Sequence, residues 1–95
     1  MIAFHNVRSL HAHFADLSSD PNHTSANVLC CVESRLQPSD LDSQYCLPEH
    51  SLLRFDQPNR QPHVRPPHGI AIYVKEDIEV IDFGNMLGFI RVVVL

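Results

Sequence analysis

An apolar run at positions 28–32, Val-Leu-Cys-Cys-Val, constrains the fold of this chain more than any other feature. A strand in which every side chain is apolar buries both of its faces, which is typical of strands in parallel sheets. Parallel neighbours need a long crossover connection, and that connection is usually a helix. The residues before the run should therefore hold a first strand and a helix.

The segment before the run meets that requirement. Residues 1–4 are apolar and fit the end of a strand. A stripe of apolar side chains at helical spacing follows, formed by Leu10, Phe14 and Leu17. Ser9 can cap this helix, which should end before Pro21 because proline disfavours helical geometry in the residue ahead of it. Strand, helix and buried strand in this order predict a βαβ unit with two parallel strands.

The remainder of the chain predicts strands separated by polar loops. We expect a polar loop at residues 20–25, one helical turn after Ser39, and an irregular loop at the proline-rich residues 57–68. Four further strands are predicted, at residues 51–55, 69–74, 79–83 and 89–95, with a turn at Gly84 and Asn85. The last three strands should form an antiparallel meander. The predicted fold class is thus α/β (α+β), a mixed sheet with one βαβ unit followed by a meander.

Length and charge narrow the function classes. Ninety-five residues suit one small domain. The formal net charge of -4 argues against a free-standing nucleic-acid-binding module, but it allows a nuclease, since metal ions can neutralise phosphate charge. The chain lacks an apolar stretch long enough to span a membrane and has no secretory signal at its start. We therefore expect an intracellular protein, nuclear or cytoplasmic, with three reduced and mostly buried cysteines.

The parallel βαβ unit has a consequence for Asn6 and Glu33. Asn6 follows the first predicted strand and Glu33 follows the second, so both should lie at the carboxyl-terminal end of the sheet. Open α/β sheets bind ligands at that end. A carboxylate and an amide could hold Mg²⁺ together with a phosphate oxygen and water. The alternative is that Asn6 caps a turn and Glu33 is a solvated strand end, and spacing alone favours this alternative.

Four short motifs in a fixed order resemble the opening of the endonuclease/exonuclease/phosphatase superfamily. They are Asn-Val-Arg-Ser-Leu at 6–10, an apolar strand ending in Glu-Ser-Arg-Leu at 33–36, Arg-Phe-Asp at 54–56, and Gly-Ile-Ala-Ile-Tyr-Val-Lys at 69–75. The set is most similar to endonuclease domains of non-LTR retrotransposons and of Helitron-type helicases. One departure is His68-Gly69, where the family has a pair of glycines. The resemblance implies a partial four-layer α/β-sandwich, with residues 1–95 as the N-terminal portion of one domain truncated at its C-terminus.

The resemblance also implies a chemistry. Glu33 matches the family's metal-binding glutamate, and Asn6 matches the asparagine that helps to position metal and scissile phosphate. The implied activity is hydrolysis of DNA phosphodiester bonds with Mg²⁺ or Mn²⁺, without a small-molecule cofactor and with DNA as the partner of the full-length protein. The family's catalytic tyrosine, Asp-x-Asn segment and Ser-Asp-His ending lie after the fourth motif and have no counterpart here. We therefore expect the chain alone to be inactive, with an exposed apolar face where the rest of the domain would pack.

Two other functions and several other residue roles stay open. The chain could be a degenerate, non-catalytic remnant or binding piece, or a phosphoesterase of the same fold acting on another phosphoester. The seven histidines do not match a zinc module. The arginines around the proline-rich loop could contact a DNA backbone or be solvated; they are Arg54, Arg60 and Arg65. Cys30 and Cys31 should be inert core thiols, and Tyr73 should have a packing role.

Overall fold

The computed structural model describes residues 1–57, 64–78, 80–86 and 89–94, with side chains described as far as residue 78. One sheet contains four strands: β1 (Ile2–Asn6), β2 (Val28–Val32), β3 (His50–Phe55) and β4 (Ile70–Lys75). Their order across the sheet is β1-β2-β4-β3. Two further strands, β5 (Val80–Met86) and β6 (Phe89–Val94), pair with each other. The predicted α+β class with a mixed sheet is confirmed.

The predicted βαβ unit is present. Strand β1 pairs in parallel with β2, and helix α1 (Leu10–Ser19) lies between them in the chain. The helix begins as predicted, because the Ser9 hydroxyl oxygen accepts a hydrogen bond from the Ala12 N–H at 3.3 Å. It ends at Ser19, two residues before Pro21. Local capping chemistry thus sets both ends of the crossover.

The predicted polar loop at residues 20–25 is wrong in part, because a short helix α2 (Pro21–Thr24) forms there. Asp20 caps it through a side-chain oxygen that accepts from the Asn22 N–H at 2.9 Å. Pro21 occupies the first turn, where its fixed φ suits a helix and its missing N–H costs nothing. Proline therefore ends one helix here and begins the next.

The second half of the chain differs from the predicted meander. Strand β4 is antiparallel to both β2 and β3, whereas β5 pairs only with β6 among the described residues. Gly84 and Asn85 lie inside β5 and not in a turn. The helical turn predicted after Ser39 is a 3₁₀ turn at Asp42–Tyr45. Residues 58–63 of the predicted loop, and residues 79 and 95 of the predicted strands, lie outside the described residues.

The core lies on both faces of the sheet, as the apolar run in β2 requires. On the helical side, Leu29 and Cys31 of β2 share one cluster with side chains of α1, β4 and the following loops. On the other side, Val28 and Cys30 share a second cluster with residues of β4. Burying an aliphatic side chain of this kind contributes roughly 1.5–3 kcal/mol. The buried members of the larger cluster are Val7, Leu10, Leu17, Ala26, Leu29, Cys31, Leu36, Tyr45, Leu47, Ala71 and Tyr73.

Edge strand β1 carries the expected exposed apolar surface. Ile2 is 62% exposed and Phe4 is 78% exposed, and both face the same way as the partly exposed Val32 of β2. Within the part of the chain that the structure describes, no helix has the length and apolar character needed to cross a membrane.

Candidate metal centre

The structure brings Asn6 and Glu33 to the same end of the sheet, as the parallel βαβ unit predicts. Asn6 is the last residue of β1 and lies directly opposite Val32, the last residue of β2. Glu33 is the next residue along the chain. The two candidate residues therefore follow the carboxyl ends of neighbouring parallel strands, where open α/β sheets bind ligands.

Backbone hydrogen bonds continue past the ends of both strands. The Val7 N–H donates to the carbonyl of Val32 at 3.1 Å, and the Ser9 N–H donates to the carbonyl of Glu33 at 2.8 Å. The Leu10 N–H then donates to the carbonyl of Ser34 at 2.8 Å. These bonds join the segment after β1 to the segment after β2 and attach both to the start of α1. The positions of Asn6 and Glu33 are thereby fixed by the backbone.

The same two segments hold an unusual concentration of left-handed backbone. Five non-glycine residues among those described have positive φ, and four of them are here: Arg8 at 48°, Ser9 at 90°, Glu33 at 56° and Arg35 at 55°. A non-glycine residue in this region costs about 1–2 kcal/mol. Strained backbone of this kind persists only when its surroundings impose it, and it is common at binding sites. The strain singles out this end of the sheet as a functional candidate, independently of the motifs.

Gly69 supports the Glu33 segment from the side of β4. The Ser34 N–H donates to the carbonyl of Gly69 at 3.1 Å, and the Arg35 N–H donates to the carbonyl of His68 at 3.0 Å. Gly69 has φ 113°, and a Cβ atom there would lie 2.7 Å from the Ser34 hydroxyl oxygen. Only glycine meets both demands, the backbone angle and the close approach. This packing therefore requires glycine at position 69, whereas position 68 accommodates histidine.

The two candidate side chains differ in what they already contact. The Asn6 side-chain oxygen accepts from the Arg8 N–H at 3.2 Å, an arrangement that orients the amide at the strand end. The Glu33 side chain is half-buried and makes no hydrogen bond or ion pair within the described residues. A carboxylate and an amide oxygen suit Mg²⁺, which often takes one or two carboxylates and fills its remaining positions with water and substrate phosphate. The described residues contain no group of three His, Cys, Asp or Glu side chains able to hold a metal.

Two of the arginines suggested as DNA contacts have a different role. Arg54 donates to the carbonyls of Asp40 and Gln37 at 2.7 and 2.9 Å, and it pairs with Asp42 and Asp56. Arg65 forms a bidentate ion pair with the Asp40 carboxylate, with N···O distances of 2.7 and 3.1 Å. The Arg65 guanidinium holds the pKa of Asp40 below its usual range. These arginines brace the loop before β3, so the Arg-Phe-Asp motif is structural here, and Arg60 lies outside the described residues.

Sequence reasoning gave no role to Arg8 and Arg35, although both belong to the quoted motifs. Each lies two residues after a candidate metal residue, and each is in the left-handed region. Neither side chain has a carboxylate partner among the described residues. The signal that could have revealed them is their equal spacing of two residues from Asn6 and Glu33.

The remaining candidates are packing residues. Tyr73 is fully buried, and its hydroxyl donates to the carbonyl of Tyr45 at 2.6 Å, which confirms its packing role. Burial raises the pKa of the Cys31 thiol to about 12, with a smaller contribution from neighbouring Cys30. Cys31 is therefore an inert core thiol at neutral pH, as predicted. Both ring nitrogens of buried His50 lie on backbone carbonyls, those of Pro48 and Ala26, at 2.7 and 2.8 Å.

Comparison of the chain with protein-family models, curated proteins and solved structures yields no match. The functional assignment therefore depends on the geometry of the strand ends and on the order of the motifs.

Proposed function

We propose that this chain forms the metal-binding corner of a Mg²⁺-dependent phosphodiesterase of the endonuclease/exonuclease/phosphatase type, with DNA as its substrate. The observation that carries the proposal is the position of Asn6 and Glu33 at the carboxyl ends of neighbouring parallel strands. The strained, hydrogen-bonded backbone around them supports it, because such strain needs a reason. The order of the four motifs supports the choice of family and of substrate.

Each residue has a definite part in this proposal. The Glu33 carboxylate, which has no partner within the described residues, would hold Mg²⁺ or Mn²⁺. The Asn6 amide, oriented by the Arg8 N–H, would position the metal and the scissile phosphate. The bound ion would offset the charge that develops on the phosphate and lower the pKa of an attacking water. No described residue is assigned as the general base, and the activity belongs to the full-length intracellular protein of a mobile element.

A second function, a non-catalytic remnant or binding piece, is favoured by the formal net charge of -4, because a nucleic-acid-binding surface is usually basic. A phosphoesterase of the same fold with another substrate, such as a phosphoinositide, is a third function. A single experiment separates the three.

The experiment is a nicking assay on supercoiled DNA with the protein whose reading frame contains this chain. Glu33→Gln keeps the size of the side chain and removes its charge. The matched control is Glu76→Gln, which removes a carboxylate directly after β4, at the opposite end of that strand from Gly69. We expect Mg²⁺-dependent nicking that Glu33→Gln lowers on the order of 10²-fold or more, since a metal site contributes several kcal/mol. Glu76→Gln should leave it unchanged.

The other outcomes decide among the alternatives. Undiminished nicking by Glu33→Gln removes the role given to Glu33. Absence of nicking by the unmodified protein favours the non-catalytic remnant. Hydrolysis of a phosphoinositide in preference to DNA favours the third function.

A further inference from the structure

We propose that Arg8 and Arg35 form a two-arginine phosphate clamp at the Asn6–Glu33 end of the sheet, which binds the backbone of a nucleic-acid strand. The position of the clamp beside a metal rests on the proposed function, but the test described below does not depend on a metal. It assigns a binding role to two side chains that the fold itself leaves without one.

The distribution of cations across the described residues is the first argument. Arg54 and Arg65 are committed to carboxylates and carbonyls within the fold. Lys75 lies at the far end of β4, where it lines a shallow depression with acidic side chains: Glu49, Glu76 and Asp77. Among the arginines whose side chains are described, Arg8 and Arg35 have no carboxylate partner, and they follow the carboxyl ends of β1 and β2 respectively.

The surroundings of Arg8 contain acids, and they still leave it unpaired. Arg8 lines a depression of about 340 Å³ together with Asp16, Asp20 and several histidines, but it forms no ion pair with either carboxylate. Asp20 is used as the cap of α2 and lies 3.6 Å from the His23 ring. The Arg8 side chain is therefore exposed and available to an anion from outside the described residues.

Arg35 gives the second and independent argument. Its Nε is buried and has no hydrogen-bond acceptor. A buried donor without an acceptor costs about 1–3 kcal/mol, and native proteins rarely leave one unexplained. The backbone of Arg35 cannot easily move to relieve it, because its N–H donates to His68 and its carbonyl accepts from Arg65. The Arg35 side chain as a whole is half-buried, so a change of its rotamer, with the backbone unchanged, would let a ligand oxygen satisfy this donor.

Phosphate is the ligand chemistry that fits two guanidinium groups. The guanidinium fork matches the geometry of phosphate oxygens and gives charge-assisted hydrogen bonds. Two such groups, one following each strand, can contact successive phosphates of a strand or two oxygens of one phosphate. The chain as a whole has a net charge of -4, so the two arginines would direct a polyanion to this end of the sheet.

The test uses the 95-residue chain, a short single-stranded DNA oligonucleotide and a chelator, so that no divalent metal takes part. Affinity is measured at several salt concentrations for the unmodified chain, Arg8→Gln, Arg35→Gln and the matched control Lys75→Gln. Each lost phosphate contact should lower the slope of log affinity against log salt by about 0.7. We expect that loss for each arginine variant and none for Lys75→Gln. Unchanged slopes for both arginine variants, or an equal loss for Lys75→Gln, would overturn the clamp.

A second measurement covers the case in which a variant fails to fold. In the unmodified chain, the Arg35 side-chain N–H resonance is followed by NMR while inorganic phosphate is added. A saturable shift of that resonance is the expected result, and a resonance that stays fixed while Lys75 responds contradicts the proposal. Because neither experiment contains Mg²⁺, failure of the clamp leaves the metal site standing, and failure of Glu33 as a metal ligand leaves the clamp standing.

Discussion

Alanine at position 69 would disturb the backbone that holds the Glu33 segment, and its cost can be worked from two terms. A side chain at φ 113° is strained by about 1–2 kcal/mol. The added Cβ would also lie 2.7 Å from the Ser34 hydroxyl oxygen, an overpacking that costs about 1–3 kcal/mol in a well-packed interior. Together the terms predict that Gly69→Ala lowers the free energy of unfolding by roughly 2–5 kcal/mol.

Chemical denaturation of four proteins measures these terms separately: the unmodified chain, Gly69→Ala, Ser34→Ala and the double variant. The Ser34 hydroxyl is buried and has no hydrogen-bond partner, so Ser34→Ala alone should be nearly neutral. In the Ser34→Ala background the cost of Gly69→Ala should fall by the clash term, about 1–3 kcal/mol. A Gly69→Ala variant as stable as the unmodified chain would refute the packing argument. A double variant that recovers none of the loss would refute the role of Ser34.

Two further predictions concern groups away from the strand ends. Asp40→Asn should lower the free energy of unfolding by about 1.5–3 kcal/mol at neutral pH, because Asp40 accepts charge-assisted bonds from Arg65. Folding lowers the pKa of Asp40, so this stabilisation is present above the ordinary pKa of a carboxyl group and is lost as pH falls through the folded pKa. Denaturation curves in which Asp40→Asn costs the same free energy at low pH as at neutral pH would contradict it. Alkylation at neutral pH, followed by mass spectrometry, should modify exposed Cys46 first and Cys31 only after unfolding, since burial raises the Cys31 pKa to about 12. Equal rates for the two thiols would show that Cys31 is not buried in solution.

The sequence predicted the βαβ unit because local signals and tertiary packing agree there. The apolar run of β2 needs cover on both faces, and the Ser9 cap and the Leu10 stripe supply a helix for one of them. Parallel pairing then determines which end of the sheet carries Asn6 and Glu33. The geometry of this pair was accessible to sequence reasoning, but its metal role stays a prediction.

The sequence did not predict the features that depend on partners distant in the chain. Beyond the ends of β1 and β2, hydrogen bonds join residues 7–10 to residues 32–34, and several residues there are left-handed. Local sequence propensity does not encode these contacts, because the two segments are distant in the chain. The commitment of Arg54 to Asp42 and Asp56 likewise needs the loop before β3 folded against β3. The position of β4 between β2 and β3 needs the whole sheet, since periodicity identifies a strand but not its neighbours.

Mn²⁺ titration of the isotope-labelled chain, followed by NMR, tests the metal site most directly. Mn²⁺ takes oxygen ligands as Mg²⁺ does and broadens the resonances of nearby nuclei. The earliest broadening should fall on Asn6, Glu33 and the residues hydrogen-bonded to them, and Glu33→Gln should abolish it. Earliest broadening at the acidic residues Glu49, Glu76 and Asp77, with Asn6 and Glu33 unaffected, would contradict a metal centre at the ends of β1 and β2.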